Sequence, residues 1–357
     1  MHRRLLLGST TLVGAGILLA NATAAHAEIE VVLSGYTEFG ARGATDQTLQ
    51  DEGDRGYTFY MDNEIHIEAT GTTDGGLTYG SYAAFELASG DANDQNVFVD
   101  EVNLFFSGGF GRVELGRNDG AEDEMFVGVE DVQSGTGGID GDTANLGSII
   151  NLQNTDDATK ATYYTPRVAG FQLGASYVPD TGDDGGLNNN GTVDDPQHKN
   201  VVGGGANWVG AFGGVDLTLS AVGIYGDNDN SGAGGGFPQS DDSIADYSIG
   251  GVIGAGGLSF GATWGQLTDV NQGKWASLGL KYDFAEASVS AGWSWVDQDV
   301  LDDQQNVFVA SGDLGLAPGL TLKADVSYNT EDPGNDDSDG ADQNGTVAGV
   351  ISVQLDY

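Results

Sequence analysis

From residue 28 onward, the chain divides into short arms whose connections alternate between very short and long. The short connections are turns at residues 72–75, 108–109, 167–169, 210–213, 255–257, 284–286 and 317–319. The long connections are rich in Asp, Asn and Gly and cover residues 43–56, 89–96, 118–158, 179–200, 226–243, 268–272, 298–305 and 330–345. Seven short turns and eight long loops join sixteen arms. An even number of strands with short turns at one end and long loops at the other is the layout of a transmembrane β-barrel.

The arms also alternate in polarity with a period of two residues. In the last arm, the odd-numbered residues from Val347 to Tyr357 are mostly apolar, and the even-numbered residues from Thr346 to Asp356 are mostly small or polar. A soluble sandwich would alternate in the same way. Polar loops, a small-residue face and aromatic residues at strand ends instead favour one face in lipid and the other in water.

A helical membrane span is the alternative for residues 247–268, which carry no charge and are long enough to cross a bilayer. Seven glycines lie in this segment, and its apolar residues are evenly spaced on both sides of the turn at residues 255–257. These features predict a hairpin. Because an open strand edge is not tolerated in hydrocarbon, the strands must close on themselves. The fold class is therefore predicted to be all-β, a sixteen-stranded antiparallel transmembrane barrel spanning residues 28–357.

The first 27 residues have the form of a secretory signal peptide. Arg3 and Arg4 precede a mainly apolar run, and Ala25-His26-Ala27 forms an A-x-A cleavage site. We expect cleavage before Glu28 and export of the mature chain.

The net charge of −42 excludes a nucleic-acid partner, which would require stripes of Lys and Arg. A solubilising or salt-adapted acidic surface is the alternative interpretation for many of the loop carboxylates. The chain has no cysteine, so it offers neither a disulfide framework nor a thiolate metal site. No serine elbow, phosphate loop or HExxH motif occurs, and an enzyme is not expected.

Three segments and the terminal residue resemble the Gram-negative general porins. They are EIEVVLSGYTEFG at residues 28–40, FSGGFGRVELGRN at 106–118, YTPRVAGFQLGASY at 164–177, and the C-terminal aromatic Tyr357. The resemblance implies a homotrimer in the lipid of the outer membrane, with short periplasmic turns and long acidic extracellular loops. It also implies that the third long loop, residues 118–158, folds inward to constrict the pore, and that Tyr357 serves as an assembly signal.

Strand parity and the position of the third loop predict which charged residues line the pore. The predicted residues are Glu38, Arg42, Glu64, His66, Glu68, Glu86, Glu101, Arg112, Glu114, Arg117, Asp119, Glu122, Asp123, Glu124, Glu130, Asp131, Lys281 and Lys323. The arginine-rich wall usual in this family is largely missing. Because carboxylates lower the energy of cations in a pore, we expect passive diffusion of small hydrophilic solutes and ions with a preference for cations. Pore width rather than charge is the alternative determinant. Arg117 is also a candidate structural residue that pins Glu122 or Asp123.

Two other functions remain open. A substrate-specific channel, for a sugar or a cation, is favoured by Tyr36, Tyr60 and Tyr82, whose rings would offer faces along the lumen. A non-conducting exported acidic β-protein or an adhesive barrel is the second alternative. No cofactor is expected. Loop-bound calcium has weak candidates that lack the regular EF-hand spacing: Asp183, Asp184, Asp194 and Asp195.

Overall fold

The computed structural model describes residues 28–45, 56–88, 98–140, 155, 157–181, 197–229, 243–268, 273–298, 303–332 and 345–357. The predicted signal peptide, residues 1–27, and the four calcium candidates at 183, 184, 194 and 195 lie outside these ranges. Within the described ranges, no helix is long and apolar enough to cross a membrane.

Sixteen antiparallel strands form a closed barrel, as the sequence predicts. Each strand pairs with its neighbours in the chain, and the first strand pairs with the last. The strands are β1 Glu30–Ala44, β2 Tyr57–Thr72, β3 Thr78–Ala88, β4 Phe98–Gly108, β5 Gly111–Arg117, β6 Thr159–Tyr164, β7 Phe171–Asp180, β8 Gln197–Phe212, β9 Val215–Asp229, β10 Ile244–Ala255, β11 Leu258–Leu267, β12 Gly273–Asp283, β13 Ala287–Gln298, β14 Asp303–Ala317, β15 Leu320–Asp332 and β16 Thr346–Asp356.

The first and last strands meet where the barrel closes. The backbone N–H of Gly35 donates to the carbonyl oxygen of Tyr357, and the N–H of Tyr357 donates to the carbonyl oxygen of Gly35, both at 3.0 Å. The C-terminal residue therefore completes the pairing between β1 and β16, which leaves no open edge at this point.

Alternation in the strands separates a lipid-facing surface from an inner surface. In β16, Val347, Ile351 and Val353 are exposed on the outside, whereas Ala348 and Ser352 are buried on the inside. The same alternation of exposed and buried residues recurs in β13 and β15. The two-residue period of a strand fixes these sides once one residue is placed.

Aromatic side chains pair on the outer surface near both ends of the strands. Tyr247 and Trp264 lie toward the long loops with ring centroids 5.8 Å apart, and Tyr282 and Phe284 lie beside a short turn with centroids 4.9 Å apart. Aromatic rings at these two levels match the interface belts of membrane barrels.

Two-residue turns join several strands at the short-turn end. The hairpins β8–β9 and β10–β11 turn through Gly213-Gly214 and Gly256-Gly257, and all four residues have positive φ. Consecutive positive φ angles fit the right-handed twist of a hairpin, which explains the Gly-Gly pairs.

The third long loop contains three short helical segments in its described part. They are α1 Ala121–Glu124 and two 3-10 turns, Glu130–Val132 and Gly138–Asp140. The helix α1 contacts β6 to β9, the first 3-10 turn contacts β11 and β12, and the second contacts β13 and β14. The loop therefore follows one arc of the inner wall, and the arc from β16 through β5 lies opposite it.

Candidate pore and its inner loop

Hydroxyl groups on the inner wall hold the backbone of the third loop. A loop without regular structure must find partners for its backbone N–H groups. Serine and threonine on alternate strands accept these bonds: Ala121 N to Ser176 Oγ at 2.6 Å, Val127 N to Ser220 Oγ at 2.9 Å, Val129 N to Thr263 Oγ1 at 3.2 Å, and Ser134 N to Ser290 Oγ at 2.8 Å. The small polar residues of the inner face therefore position the loop.

Two carboxylates hold the far end of the described loop, in a contact that we call the loop-tip latch. Gly135 N donates to Asp313 Oδ1 at 2.7 Å. Thr136 donates to Asp325 Oδ2 twice, from its backbone N at 2.8 Å and from its hydroxyl at 2.9 Å. Hydrogen bonds to a charged acceptor are stronger than neutral ones. The latch residues Asp313 and Asp325 were absent from the predicted site, although the parity of β15 places Asp325 on the inner face.

Apolar side chains of the loop pack on an apolar patch of the inner wall. Met125 and Phe126 cluster with Trp275, which is fully buried, and the ring centroids of Phe126 and Trp275 are 6.0 Å apart. Farther along the loop, Val129 and Ile139 cluster with residues of β14. An apolar patch facing water would be unfavourable, so burial beneath the loop both explains this patch and stabilises the docked loop.

Glycines on the inner wall let the loop approach the strands closely. A Cβ atom at Gly203 would overlap the carboxylate of Glu122, and one at Gly261 would lie 2.6 Å from the carbonyl oxygen of Gly128. Side chains at four further wall glycines would meet loop atoms in the same way: Gly174, Gly250, Gly279 and Gly292. Part of the high glycine content is therefore explained by the inner-wall positions against which the loop packs.

We expect Gly203→Ala to destabilise the barrel. The added methyl group overlaps the fully buried Glu122, and overpacking of this kind costs about 1–3 kcal/mol. The measurement is the temperature at which the purified protein loses its compact mobility in heat-modifiability gels. Gly312→Ala is the matched control, because its Cβ meets nothing closer than the carbonyl oxygen of Ser288 at 3.4 Å. Equal transition temperatures for the two variants would contradict the account.

The structure corrects the predicted role of Glu122. Its side chain is fully buried and does not line the pore. Its Oε1 atom accepts hydrogen bonds from the backbone N of Thr155 at 3.0 Å and the hydroxyl of Thr155 at 2.6 Å. Glu122 thus ties the beginning of the loop to its end, a role that no local sequence pattern reveals.

Arg117 is also displaced from the predicted pore lining. It pairs with Val102 and Thr159, both on the outer parity of their strands. Its Nε donates to the carbonyl oxygen of Asp157 at 3.3 Å, so the contact described is neither of those expected with Glu122 and Asp123. Nearby, the ammonium group of Lys160 donates to the carbonyl oxygen of Asn118. Arg117 and Lys160 therefore hold the two ends of the loop, at Asp157 and Asn118, next to the strands that flank it.

The other predicted loop carboxylates remain at its accessible side. Glu124 is exposed, and the half-buried residues are Asp119, Asp123, Glu130 and Asp131. Asp131 also accepts a hydrogen bond from Gly128 N at 2.8 Å, which shapes the first 3-10 turn. Between residues 118 and 158, the sequence contains ten Asp or Glu residues and no Lys, Arg or His. The loop therefore brings only negative side-chain charge to the lumen.

The arc of wall opposite the loop is acidic as well. Inner-face positions of β1 to β4 carry five of the predicted carboxylates: Glu38, Glu64, Glu68, Glu86 and Glu101. Glu64 and Glu86 are direct neighbours across β2 and β3. Asp62, which the sequence analysis missed, lies on the same face and accepts a hydrogen bond from the Tyr36 hydroxyl at 2.9 Å. Asp62 and Glu64 are two residues apart on one strand, so the two-residue period predicts that both side chains face inward.

Several of the basic side chains predicted to face the lumen lie beside carboxylates. The ion pairs are Lys323 with Glu38 at 3.2 Å, Lys281 with Asp283 at 3.4 Å, and Arg112 with Glu114. His66 Nε2 lies within hydrogen-bond distance of Glu64 Oε1, at 2.7 Å. Arg112 also lies 4.2 Å from the ring centroid of Phe105, and Arg42 lies 5.6 Å from that of Tyr60. Pairing reduces the positive potential that these groups present to a passing ion.

Metal binding has no candidate cluster in the part of the chain that the structure describes, where three or more Asp, Glu or His side chains do not converge. Because the calcium candidates in the fourth long loop lie outside that part, calcium binding stays a prediction.

Comparison with known proteins identifies the family. The family model described as Gram-negative porin matches residues 10–334. The chain therefore belongs to the Gram-negative porins, and it is a multi-pass β-barrel of the outer membrane.

Solved porins share the fold of this chain. An anion-selective porin from Comamonas acidovorans superposes with a TM-score of 0.66 at 16% identity, covering 92% of this chain and 100% of that one. A mutant of Rh. blastica porin gives a TM-score of 0.65 at 19% identity with the same coverage. At these identities the likeness extends to the fold alone.

Curated relatives match only part of the chain. Uncharacterized proteins of Rickettsia typhi and Rickettsia prowazekii are 28% and 32% identical over 113 residues, which is 24% of this chain and 26% of each relative. The match spans about a quarter of the length of these curated relatives.

Proposed function

We propose that this porin is a channel for passive diffusion of small hydrophilic solutes and ions, with a preference for cations. The observation that carries the proposal is the distribution of charge. The loop brings carboxylates and no basic residue, and the opposite wall brings Glu64, Glu68, Glu86 and Glu101. Glu38 lies on the same face, but it is 3% exposed and forms an ion pair with Lys323.

Three of the inner cations are paired, and each pair is close to neutral for a passing ion. Lys323, Lys281 and Arg112 lie beside Glu38, Asp283 and Glu114, so the negative excess comes from the other carboxylates of the wall and from the loop. In a narrow passage with low-dielectric walls, a negative potential raises the local concentration of cations and lowers that of anions. The porin from Comamonas acidovorans that shares this fold is anion-selective, so the fold alone does not carry a preference for cations.

The test is single-channel recording of the mature protein in a planar bilayer, with the reversal potential read across a KCl gradient. We expect discrete conductance steps and a reversal potential of the sign for cation preference. Conductance steps with an anion-selective reversal potential would support a diffusion channel and refute the role of the carboxylates in its selectivity. Folded protein without conductance would refute the channel and favour an exported barrel that does not conduct.

A substrate-specific channel is the second candidate, but the structure buries the rings of Tyr36, Tyr60 and Tyr82, which are 8%, 4% and 6% exposed and were expected to offer faces along the lumen. The Tyr36 hydroxyl donates to Asp62 at 2.9 Å, and the Tyr60 hydroxyl donates to Glu38 at 2.6 Å. These tyrosine hydroxyls hold carboxylates of the wall, and the buried rings offer little surface to a passing solute. Conductance block that saturates with one sugar or amine would favour this candidate, whereas block by none of them would favour general diffusion.

Export, trimer formation and the role of the C-terminus complete the proposal. Cleavage of residues 1–27, a homotrimer and an assembly signal at Tyr357 are supported by the sequence and by membership of the porin family. Conductance steps in groups of three would accompany a trimer.

A further inference from the structure

We propose that Glu38 and Lys323 act as one electrically neutral unit in the channel wall, so that Glu38 cancels the positive charge that Lys323 would otherwise present to ions. This inference deepens the proposed function, on which it rests, because it names a specificity-determining pair.

The two side chains meet across the closure of the barrel. Lys323 belongs to β15 and Glu38 to β1, with β16 between them, and Lys323 Nζ lies 3.2 Å from Glu38 Oε2. The exposed fractions of the two side chains are 14% and 4%, respectively. The residues are 285 positions apart in the chain, so only closure of the barrel brings them together.

Neighbouring side chains hold the pair from both sides. The Tyr60 hydroxyl donates to Glu38 Oε1 at 2.6 Å, and Lys323 Nζ also donates to the side-chain oxygen of Gln354. The nitrogen of Gln354 donates to Asp356 Oδ1 at 2.6 Å, which orients its oxygen toward Lys323. The hydrogen-bonded chain therefore crosses β15, β16, β1 and β2 on the inner face.

This environment distinguishes the pair from an ordinary surface ion pair. Exposed pairs are screened and fluctuate, whereas a buried pair with further hydrogen bonds keeps its geometry. Lys281 and Asp283 provide the contrast, because their side chains are 24% and 50% exposed. A persistent pair contributes a small dipole to the lumen, and removal of either partner leaves a full unpaired charge.

The experiment compares reversal potentials across a KCl gradient for the wild type, Glu38→Gln, Lys323→Met, the double variant, and the charge-swapped variant Glu38→Lys with Lys323→Glu. A unit charge beside the ion path changes the ratio of cation to anion permeability about two- to threefold. We expect Glu38→Gln to lower this ratio and Lys323→Met to raise it. The double and charge-swapped variants should return to the wild-type ratio.

Two results would overturn the pairing. One is a Lys323→Met ratio equal to that of the wild type, and the other is a double variant shifted as far as Glu38→Gln. If the single variants fail to form heat-modifiable barrels, the charge-swapped variant decides alone: a wild-type ratio supports the pair, and a shifted ratio refutes it. Because every ratio is taken relative to the wild type, the test remains valid whichever ion the wild type prefers. Failure of the proposed channel would instead appear as absent conductance in the wild type.

Discussion

Neutralising four carboxylates on the inner wall should shift the selectivity of the pore strongly toward anions. The variant combines Glu64→Gln, Glu68→Gln, Glu86→Gln and Glu101→Gln, which preserve side-chain size and remove four negative charges opposite the loop. At low salt, we expect the ratio of cation to anion permeability to fall on the order of tenfold, because each charge near the path contributes to the local potential. The reversal potential across a KCl gradient measures this ratio.

The control removes four exposed carboxylates that lie at strand ends or turns: Glu28→Gln, Asp74→Asn, Asp216→Asn and Glu286→Gln. This variant has the same net charge as the first, and its selectivity should stay close to that of the wild type. Near 1 M salt, where the Debye length is about 3 Å, the difference between the variants should shrink. An unchanged reversal potential in the first variant at low salt would refute the role of the carboxylates and leave pore width as the determinant.

Strand number, strand direction and the two faces of the barrel were predictable from sequence because each depends on local patterns. The two-residue period places Ser352 inside and Val353 outside wherever the strand lies. Turn glycines such as Gly256 and Gly257 mark the hairpins through their positive φ angles. Such signals lie within a few residues of the feature that they predict.

The seating of the third loop could not be predicted in the same way. Glu122 is acidic and lies in an irregular acidic segment, so sequence favours exposure to the lumen. Its burial depends on Gly203, which is 81 positions away and has no side chain at the point of contact. Asp313 and Asp325 accept bonds from loop residues 178 and 189 positions away. These contacts depend on the three-dimensional path of the loop, which has no period.

For the charged residues of the pore, the face of each residue was predictable from sequence, and the pairing between residues was not. Parity placed both Glu38 and Lys323 on the inner face, and both lie there in the structure. Their pairing depends on the register with which β1 meets β16, where Glu38 is opposite Gln354. Register is set by the whole closed barrel, and a list of inward residues therefore overstates the number of unpaired charges.

Removal of the loop-tip latch should release the end of the third loop from the wall. Asp313→Ala and Asp325→Ala together abolish three hydrogen bonds from Gly135 and Thr136 to carboxylates. A hydrogen bond to a charged group contributes roughly 1.5–3 kcal/mol, so loss of all three should weaken docking of the tip by several kcal/mol. We expect larger open-channel conductance and more current noise, because the tip no longer keeps one position.

A spin label separates release of the loop from a change of charge. The chain has no cysteine, so Gln133→Cys supplies a single labelling site within the loop. The label should give a broad, immobilised spectrum with the latch intact and a narrower spectrum in the double Ala variant. Asp283→Ala is the control, because it removes one inner carboxylate, which pairs with Lys281 and has no described contact with the loop. Identical spectra for the latch variant and this control would show that the apolar clusters at Met125 and Val129 hold the tip alone, and that the carboxylates act only on passing ions.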